Sequence, residues 1–263
     1  MEYRTLGYEL KDHVARITLN RPDSGNALDG EMGRELMHAA IRCSEERAVR
    51  AVLLTGAGRM FSAGGDLKSF AAQGDGLPAH LKELAGMLHL TISRLVRMDA
   101  PLIVAVNGAA GGGGMSFVLA ADLVIAAESA KFAMAYTRAG LSPDGGSTYF
   151  LPRIVGARRA LELALTNRVL SAREAQEWSL VTRVVPDAAL AAEAQALAAE
   201  LAAGATRALG AAKRLLHHSF AESLETQMEL EAQAIAERAR GADAREGIAA
   251  FIAKRAPKFA GGA

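Results

Sequence analysis

The sequence predicts an α/β fold followed by a helical C-terminal region, and three observations carry that expectation. Apolar, strand-like runs alternate with helical stretches as far as Pro186. Two of these runs lead directly into glycine-bearing turns. After Pro186 the composition shifts to Ala, Glu and Leu, and no strand signal remains.

Taken in order, Val14-Ala15-Arg16-Ile17-Thr18-Leu19 opens the core as a strand. Ala51-Val52-Leu53-Leu54-Thr55-Gly56 is a second, leading through a short loop to the turn Phe61-Ser62-Ala63-Gly64-Gly65-Asp66-Leu67-Lys68. Leu102-Ile103-Val104-Ala105-Val106 is a third, followed by Gly108-Ala109-Ala110-Gly111-Gly112-Gly113-Gly114 and then a buried helix over Met115 to Ala121. A further strand runs from Leu123 to Ala126. Beyond Val181-Thr182-Arg183-Val184-Val185-Pro186, three helices are expected at Ala188 to Leu201, Thr206 to Phe220 and Leu224 to Arg240, with breaks near Gly204 and Glu222. A last helix carries Phe251 and Lys254. No repeat of reliable period is visible in the sequence.

The glycine turns point to chemistry. A helix beginning at Gly111–Gly114 presents N–H groups with no intrahelical partner at the positive end of its dipole. Gly65 lets a second backbone amide come close to a ligand. Two such donors aimed at one point form an oxyanion hole, and removing one donor of this kind typically costs about 2.7–4 kcal/mol of transition-state stabilisation. Gly-rich segments also serve as flexible loops or close helix–sheet contacts, so each turn alone is weak evidence. A dinucleotide fingerprint fits less well, because Ser116 stands where the third glycine belongs, and no phosphate-loop Gly-Lys-Ser/Thr follows. The segment Gly114-Met115-Ser116-Phe117-Val118 has Val in place of the closing glycine of a serine-hydrolase elbow.

These motifs together resemble a known family. Asn20-Arg21-Pro22 through Asn26-Ala27-Leu28, the Phe61 to Lys68 block, the Asn107 to Asp122 block, and Ala250-Phe251-Ile252-Ala253-Lys254-Arg255 look like the enoyl-CoA hydratase/isomerase (crotonase) family, in its order and spacing and over nearly the whole chain. The resemblance implies a spiral of ββα units with a C-terminal helical region, acyl-CoA thioester substrates, and trimers often paired into hexamers. It implies a core with the acyl-CoA site over 1–195 and a helical assembly region over 196–263. Carried over by position, the oxyanion donors are the amides of Gly65 and Gly113.

Departures from the family pattern bear on the reaction. Hydratases place one catalytic Glu three residues beyond the second oxyanion glycine and another in the next segment; here those places hold Ser116 and Tyr136. A different carboxylate, Asp144, stands in Gly140-Leu141-Ser142-Pro143-Asp144-Gly145-Gly146. The same place holds an acid in the ring-epoxide isomerases of phenylacetyl-CoA breakdown, which this pattern resembles most, in related enoyl-CoA isomerases, and in 4-chlorobenzoyl-CoA dehalogenases. An isomerase needs a base beside the thioester and a hole for the enolate, and one carboxylate can both take and return the proton. Pro-Asp-Gly is also an ordinary turn sequence, so Asp144 has a purely structural reading as well. Dehalogenation would use Asp144 as a nucleophile, with a His in the helix before Pro101, the place His89 takes, and a Trp that Tyr136 replaces. His89 borders the apolar helix positions Leu88, Ile92 and Leu95, where a packed role competes with a catalytic one.

The same placement assigns CoA or substrate contacts to the backbone at Ala63, to Asp66, Lys68, His89 and Tyr136, and to Phe251 and Lys254, which would line the site of their own or a neighbouring subunit. Against this stand a helix N-cap for Asp66, a solvated charge for Lys68, and a docked terminal helix with Phe251 in the core. The acyl group stays open among aromatic and medium-chain candidates.

Composition excludes several classes. With 30 basic and 29 acidic residues, net charge +1, there is no basic excess for nucleic acid, which weighs against an RNA-binding relative without turnover. Apolar runs stop short of membrane-spanning length, and Met1-Glu2-Tyr3-Arg4 lacks the apolar stretch of a signal peptide. Cys43 is the single cysteine, so a cytoplasmic location is expected. No His/Cys/carboxylate cluster has metal-ligand spacing, and no cofactor is expected beyond the coenzyme A of the substrate.

Overall fold

The computed structural model describes residues 2–261. Its larger sheet opens with a hairpin, β1 (Leu6–Lys11) antiparallel to β2 (Val14–Leu19), whose turn residues Asp12 and His13 both adopt positive φ. The helix α1 (Gly30–Glu45) follows, capped by the Asp29 side chain, which accepts from the Met32 amide. Then β3 (Ala51–Gly56) joins β2 in parallel.

From β3 onward a unit repeats. β3 is followed by the short β4 (Met60–Ser62) and by α2 (Leu67–Ala71) and α3 (Leu77–Arg97). Next, β5 (Leu102–Val106) is followed by β6 (Ala109–Gly111) and α4 (Gly113–Ala120). The third unit has β7 (Leu123–Ala127), β8 (Lys131–Ala133), α5 (Ser147–Val155) and α6 (Ala157–Thr166). Each time the first strand enters the larger sheet and the second enters a smaller one. β9 (Leu170–Ser171) completes the smaller sheet, and after α7 (Ala172–Glu177) the strand β10 (Arg183–Val185) completes the larger. The orders are β1-β2-β3-β5-β7-β10 and β4-β6-β8-β9. The expected ββα architecture is therefore present, built without any sequence repeat.

The continuous apolar runs of β3, β5 and β7 are explained by burial on both faces. Val52, Leu54, Val104 and Val124 point into the main core with α1, α3 and α4, whereas Leu53, Ile103, Ile125 and Val185 meet Leu190, Ala194, Ala198 and Ala202 of α8 (Leu190–Ala203). The boundary expected at 195 falls inside α8, which covers the sheet.

Beyond α8 come α9 (Thr206–His218), α10 (Leu224–Ala239) and a further helix, α11 (Ala242–Ile252). Lys213 of α9 is buried and ties this region to the core, its Nζ lying 2.8 Å from Asp122 Oδ2. Two expectations for the terminal helix are corrected here. Phe251 is 85% exposed rather than in the core. Lys254 lies past the end of α11, with φ +51, because the helix closes at Ala253. Among the described residues no helix is long and apolar enough to cross a membrane.

Candidate active site

The first glycine turn is held by the segment before α1. Asn26 is fully buried, and its Nδ2 donates to the carbonyls of Ala57 and Met60 at 2.9 and 2.8 Å, while Oδ1 accepts from the Arg21 amide at 2.9 Å. Its own carbonyl accepts from Ser62 Oγ at 2.9 Å. Leu28 then pairs with the turn: its amide donates to Gly64 O at 2.7 Å, and the Asp66 amide donates to Leu28 O at 2.9 Å. Gly65 lies between these two bonds, with its own amide left over.

The second turn packs against the first. Gly64 has φ +96, and a Cβ built on it would stand 2.8 Å from Gly111 O and 3.2 Å from the Gly113 nitrogen, so no side chain fits between the turns. Gly113 is the first residue of α4, whose eight residues are all buried. Among the described residues neither the Gly65 nor the Gly113 amide donates a hydrogen bond within the chain. Both glycines line a cavity of about 1000 Å³. Two free amides on touching loops at one cavity wall have the arrangement an oxyanion hole requires, with the positive end of α4 adding to the field.

Asp144 stands at the same cavity, across the first turn of α4. Its carbonyl accepts from Ser116 Oγ at 3.2 Å, and from the amide and hydroxyl of Ser147 at 3.0 and 2.7 Å. Gly145 follows it with φ +58, and a Cβ there would lie 2.6 Å from Ser116, so the loop can press onto α4 only with glycine at this position. The Tyr136 hydroxyl donates to Asp144 Oδ1 at 2.7 Å and stands 3.0 Å from Ser116 Oγ. Burial first, then the negative charge of Asp144, pushes the Tyr136 phenol well above its ordinary range, so it remains a donor.

The other expected contacts divide. Ala63, Asp66 and Lys68 line the cavity together with Gly65, Gly113, Tyr136 and Asp144. The Asp66 carboxylate is already engaged: Oδ1 caps α2 through the Lys68 and Ser69 amides at 3.2 and 3.1 Å, and Oδ2 pairs with Arg21 at 3.0 Å. Burial alone would raise its pKa, yet these bonds and the Arg21 charge hold it below the ordinary carboxylate value. Lys68 is exposed at the rim. His89, Phe251 and Lys254 are not brought to this cavity. His89 is exposed because Leu88 and Thr91 supply the face of α3 that lines the cavity, which turns position 89 outward.

The sequence marks Arg21 only as part of the Asn20-Arg21-Pro22 motif, with no role of its own; its guanidinium joins Asp29 and Asp66, each at 3.0 Å, and the Ala27 carbonyl. Lys82 and Arg138 also line the cavity. Nothing in their local sequence separates them from solvated charges. No group of three or more potential metal ligands occurs among the described residues.

Comparison with known proteins places the chain among relatives of one family. Residues 9–262 match the family model described as enoyl-CoA hydratase/isomerase. The chain is 42% identical over 261 residues to a "probable enoyl-CoA hydratase" of Rhodobacter capsulatus, covering 99% of this chain and all of that one. It is 41% identical over 249 residues to the 1,2-epoxyphenylacetyl-CoA isomerase of Escherichia coli, covering 94% of this chain and 95% of that one. The crystal structure of an enoyl-CoA hydratase from Bacillus anthracis superimposes with a TM-score of 0.92 at 35% identity, covering 98% of this chain and 100% of that one.

Proposed function

The chain belongs to the enoyl-CoA hydratase/isomerase family, and from that premise we propose that it isomerises an acyl-CoA thioester, with Asp144 as the proton-transfer base. Asp144 takes a proton from the carbon next to the thioester carbonyl. The electron pair moves onto the carbonyl oxygen, where the Gly65 and Gly113 amides hold the enolate charge. Asp144 then returns a proton at another carbon, so a double bond moves or a strained ring rearranges, and no atom is added or lost overall.

One observation carries this reading: of the three cavity carboxylates, Asp144 stands on a loop tied to the oxyanion helix, its main-chain carbonyl accepting from Ser116 Oγ, while Asp66 is spent on a helix cap and an ion pair and Asp23 is exposed. Ser116 and Tyr136 occupy the places where hydratases carry glutamates, so paired-glutamate water addition has no acids here. The likeness to the Escherichia coli ring-epoxide isomerase supports the same choice. Ala63 and Lys68 are proposed to meet the CoA moiety at the cavity rim. We also propose that the chain assembles as a trimer or a pair of trimers, with the exposed Phe251 and Ile252 of α11, and Lys254 beyond it, meeting a second copy near its CoA site.

The test is solvent deuterium exchange and double-bond migration followed by mass spectrometry, comparing the wild type with Asp144→Asn on 3-enoyl-CoA, 2-enoyl-CoA and a phenylacetyl-type CoA ester. Loss of exchange and migration in the variant is the expected result. Intact exchange, or water addition to the 2-enoyl ester by both proteins, removes Asp144 from the mechanism.

A further inference from the structure

Behind the cavity wall the side chains of Asp144, Tyr136 and Ser116 form one hydrogen-bonded cluster. Tyr136 Oη donates to Asp144 Oδ1 at 2.7 Å, and the single hydrogen of Ser116 Oγ goes either to Tyr136 Oη at 3.0 Å or to the Asp144 carbonyl at 3.2 Å. Among the described residues none of these three side chains bonds to a group outside the set, and Ser116 is fully buried. Among the described residues Oδ2 of Asp144 accepts no bond, and it is left for whatever enters the cavity.

We propose that Tyr136 is a positioning residue, resting on the reading of Asp144 as base: backed by Ser116, its phenol fixes Oδ1 so that Oδ2 alone meets the substrate, and it slows exchange of the captured proton with water, so that solvent labels only part of the product.

The local structure suits this role. Tyr136 begins a 3-10 turn over Thr137–Ala139, and that turn is pinned to the α6 end of the molecule: Thr137 Oγ1 donates to Ala164 O at 2.9 Å and accepts from Asn167 Nδ2 at 2.7 Å. The ring packs against the main core. A carboxylate held by one strong donor on a fixed ring loses its freedom to rotate, which confines the reacting oxygen to one place. The hydrogen-bond chain also ends where it began, at Asp144, so it offers a proton no path outward. A phenol that keeps its own hydrogen can orient the base without competing for the substrate proton.

Tyr136→Phe keeps the ring and removes the donor. The expected result is a fall in kcat of about tenfold with KM changed by less than about twofold, together with a rise in the solvent deuterium carried by the product. Ser116→Ala, which leaves the Tyr136 to Asp144 bond in place, lowers kcat by about threefold and raises deuterium content less. An unchanged kcat in Tyr136→Phe, or a raised KM at unchanged kcat, overturns the positioning role and leaves a ring that only lines the pocket. Unchanged deuterium content in both variants overturns the shielding. Asp144→Asn is run alongside: if it is inactive while Tyr136→Phe matches the wild type, only this inference falls, and if it retains exchange, the base reading falls and this inference with it.

Discussion

Arg21 and Asp66, 45 residues apart in sequence, form an ion pair of 3.0 Å that anchors the first glycine turn to the segment preceding α1. Arg21 serves Asp29 at the same distance, so one guanidinium joins the caps of α1 and α2. Replacing Arg21 by Ala leaves two partly buried carboxylates without their cation, and the expected loss is about 2–3 kcal/mol. Asp66→Asn keeps a capping oxygen and should cost about 1 kcal/mol or less. Urea denaturation of the two variants checks the order.

Gly64→Ala should damage catalysis more than stability. The added methyl meets the Gly111 carbonyl and the Gly113 nitrogen, and the backbone has φ +96. Relief requires the two turns to separate, which misplaces at least one oxyanion donor. The expected fall in kcat is about 10²–10³, read by steady-state kinetics beside a circular dichroism melt.

The buried pair Lys213–Asp122 predicts a sign that depends on the replacement. Lys213→Ala strands Asp122, which keeps only the Leu102 amide at 2.7 Å, and should destabilise by about 3–5 kcal/mol. Asp122→Asn with Lys213→Met removes both charges while keeping the volume, and should recover much of that loss. Chemical denaturation midpoints separate the two.

His217 makes stability depend on pH. Burial comes first among the causes that lower its pKa from 6.5; Lys213 and His218 act in the same direction, and Asp122 opposes them. The folded chain therefore holds the ring neutral where the unfolded chain binds a proton, so this contribution is present above pH 6.5 and is lost as pH falls through and below that value. The thermal midpoint of the wild type should drop between pH 7.5 and 5.5 by more than that of His217→Phe, a range chosen at about one unit either side of the free imidazole.

Assembly is predicted to need α11. Phe251 and Ile252 are 85% and 75% exposed in the single chain. Phe251→Asp should shift the mass measured by light scattering toward the single chain and raise KM for an acyl-CoA ester. An unchanged mass removes α11 from the interface.

Much of the fold is legible in the sequence where burial is complete. Ala51–Gly56 and Leu102–Val106 announce themselves because both faces of each strand are covered, which gives unbroken apolar runs. β4, β6 and β8 do not, since Met-Phe-Ser, Ala-Ala-Gly and Lys-Phe-Ala are too short for any alternation to register. The repeated unit stays hidden for that reason. In the site, Gly65, Gly113 and Asp144 are visible through motif position. The bond from Tyr136 to Asp144 is not, because it depends on how a loop closes over α4. His89 shows the limit of helical spacing: one step from Leu88 turns a side chain by about 100°, enough to send it from the pocket wall to solvent. Phe251 shows that an apolar side chain near a chain end need not be buried by its own chain.

The Ser116, Tyr136 and Asp144 cluster also constrains how this scaffold can change its chemistry. A carboxylate introduced at 116 or 136 would stand within hydrogen-bonding range of Asp144, and the two like charges would repel. The three positions are thus mutually dependent, and their substitutions are ordered. A change to a pair of carboxylates at 116 and 136 must first give up Asp144 or tolerate three crowded carboxyl groups. The two ways of equipping this cavity are neighbours in sequence but are separated by a barrier of charge.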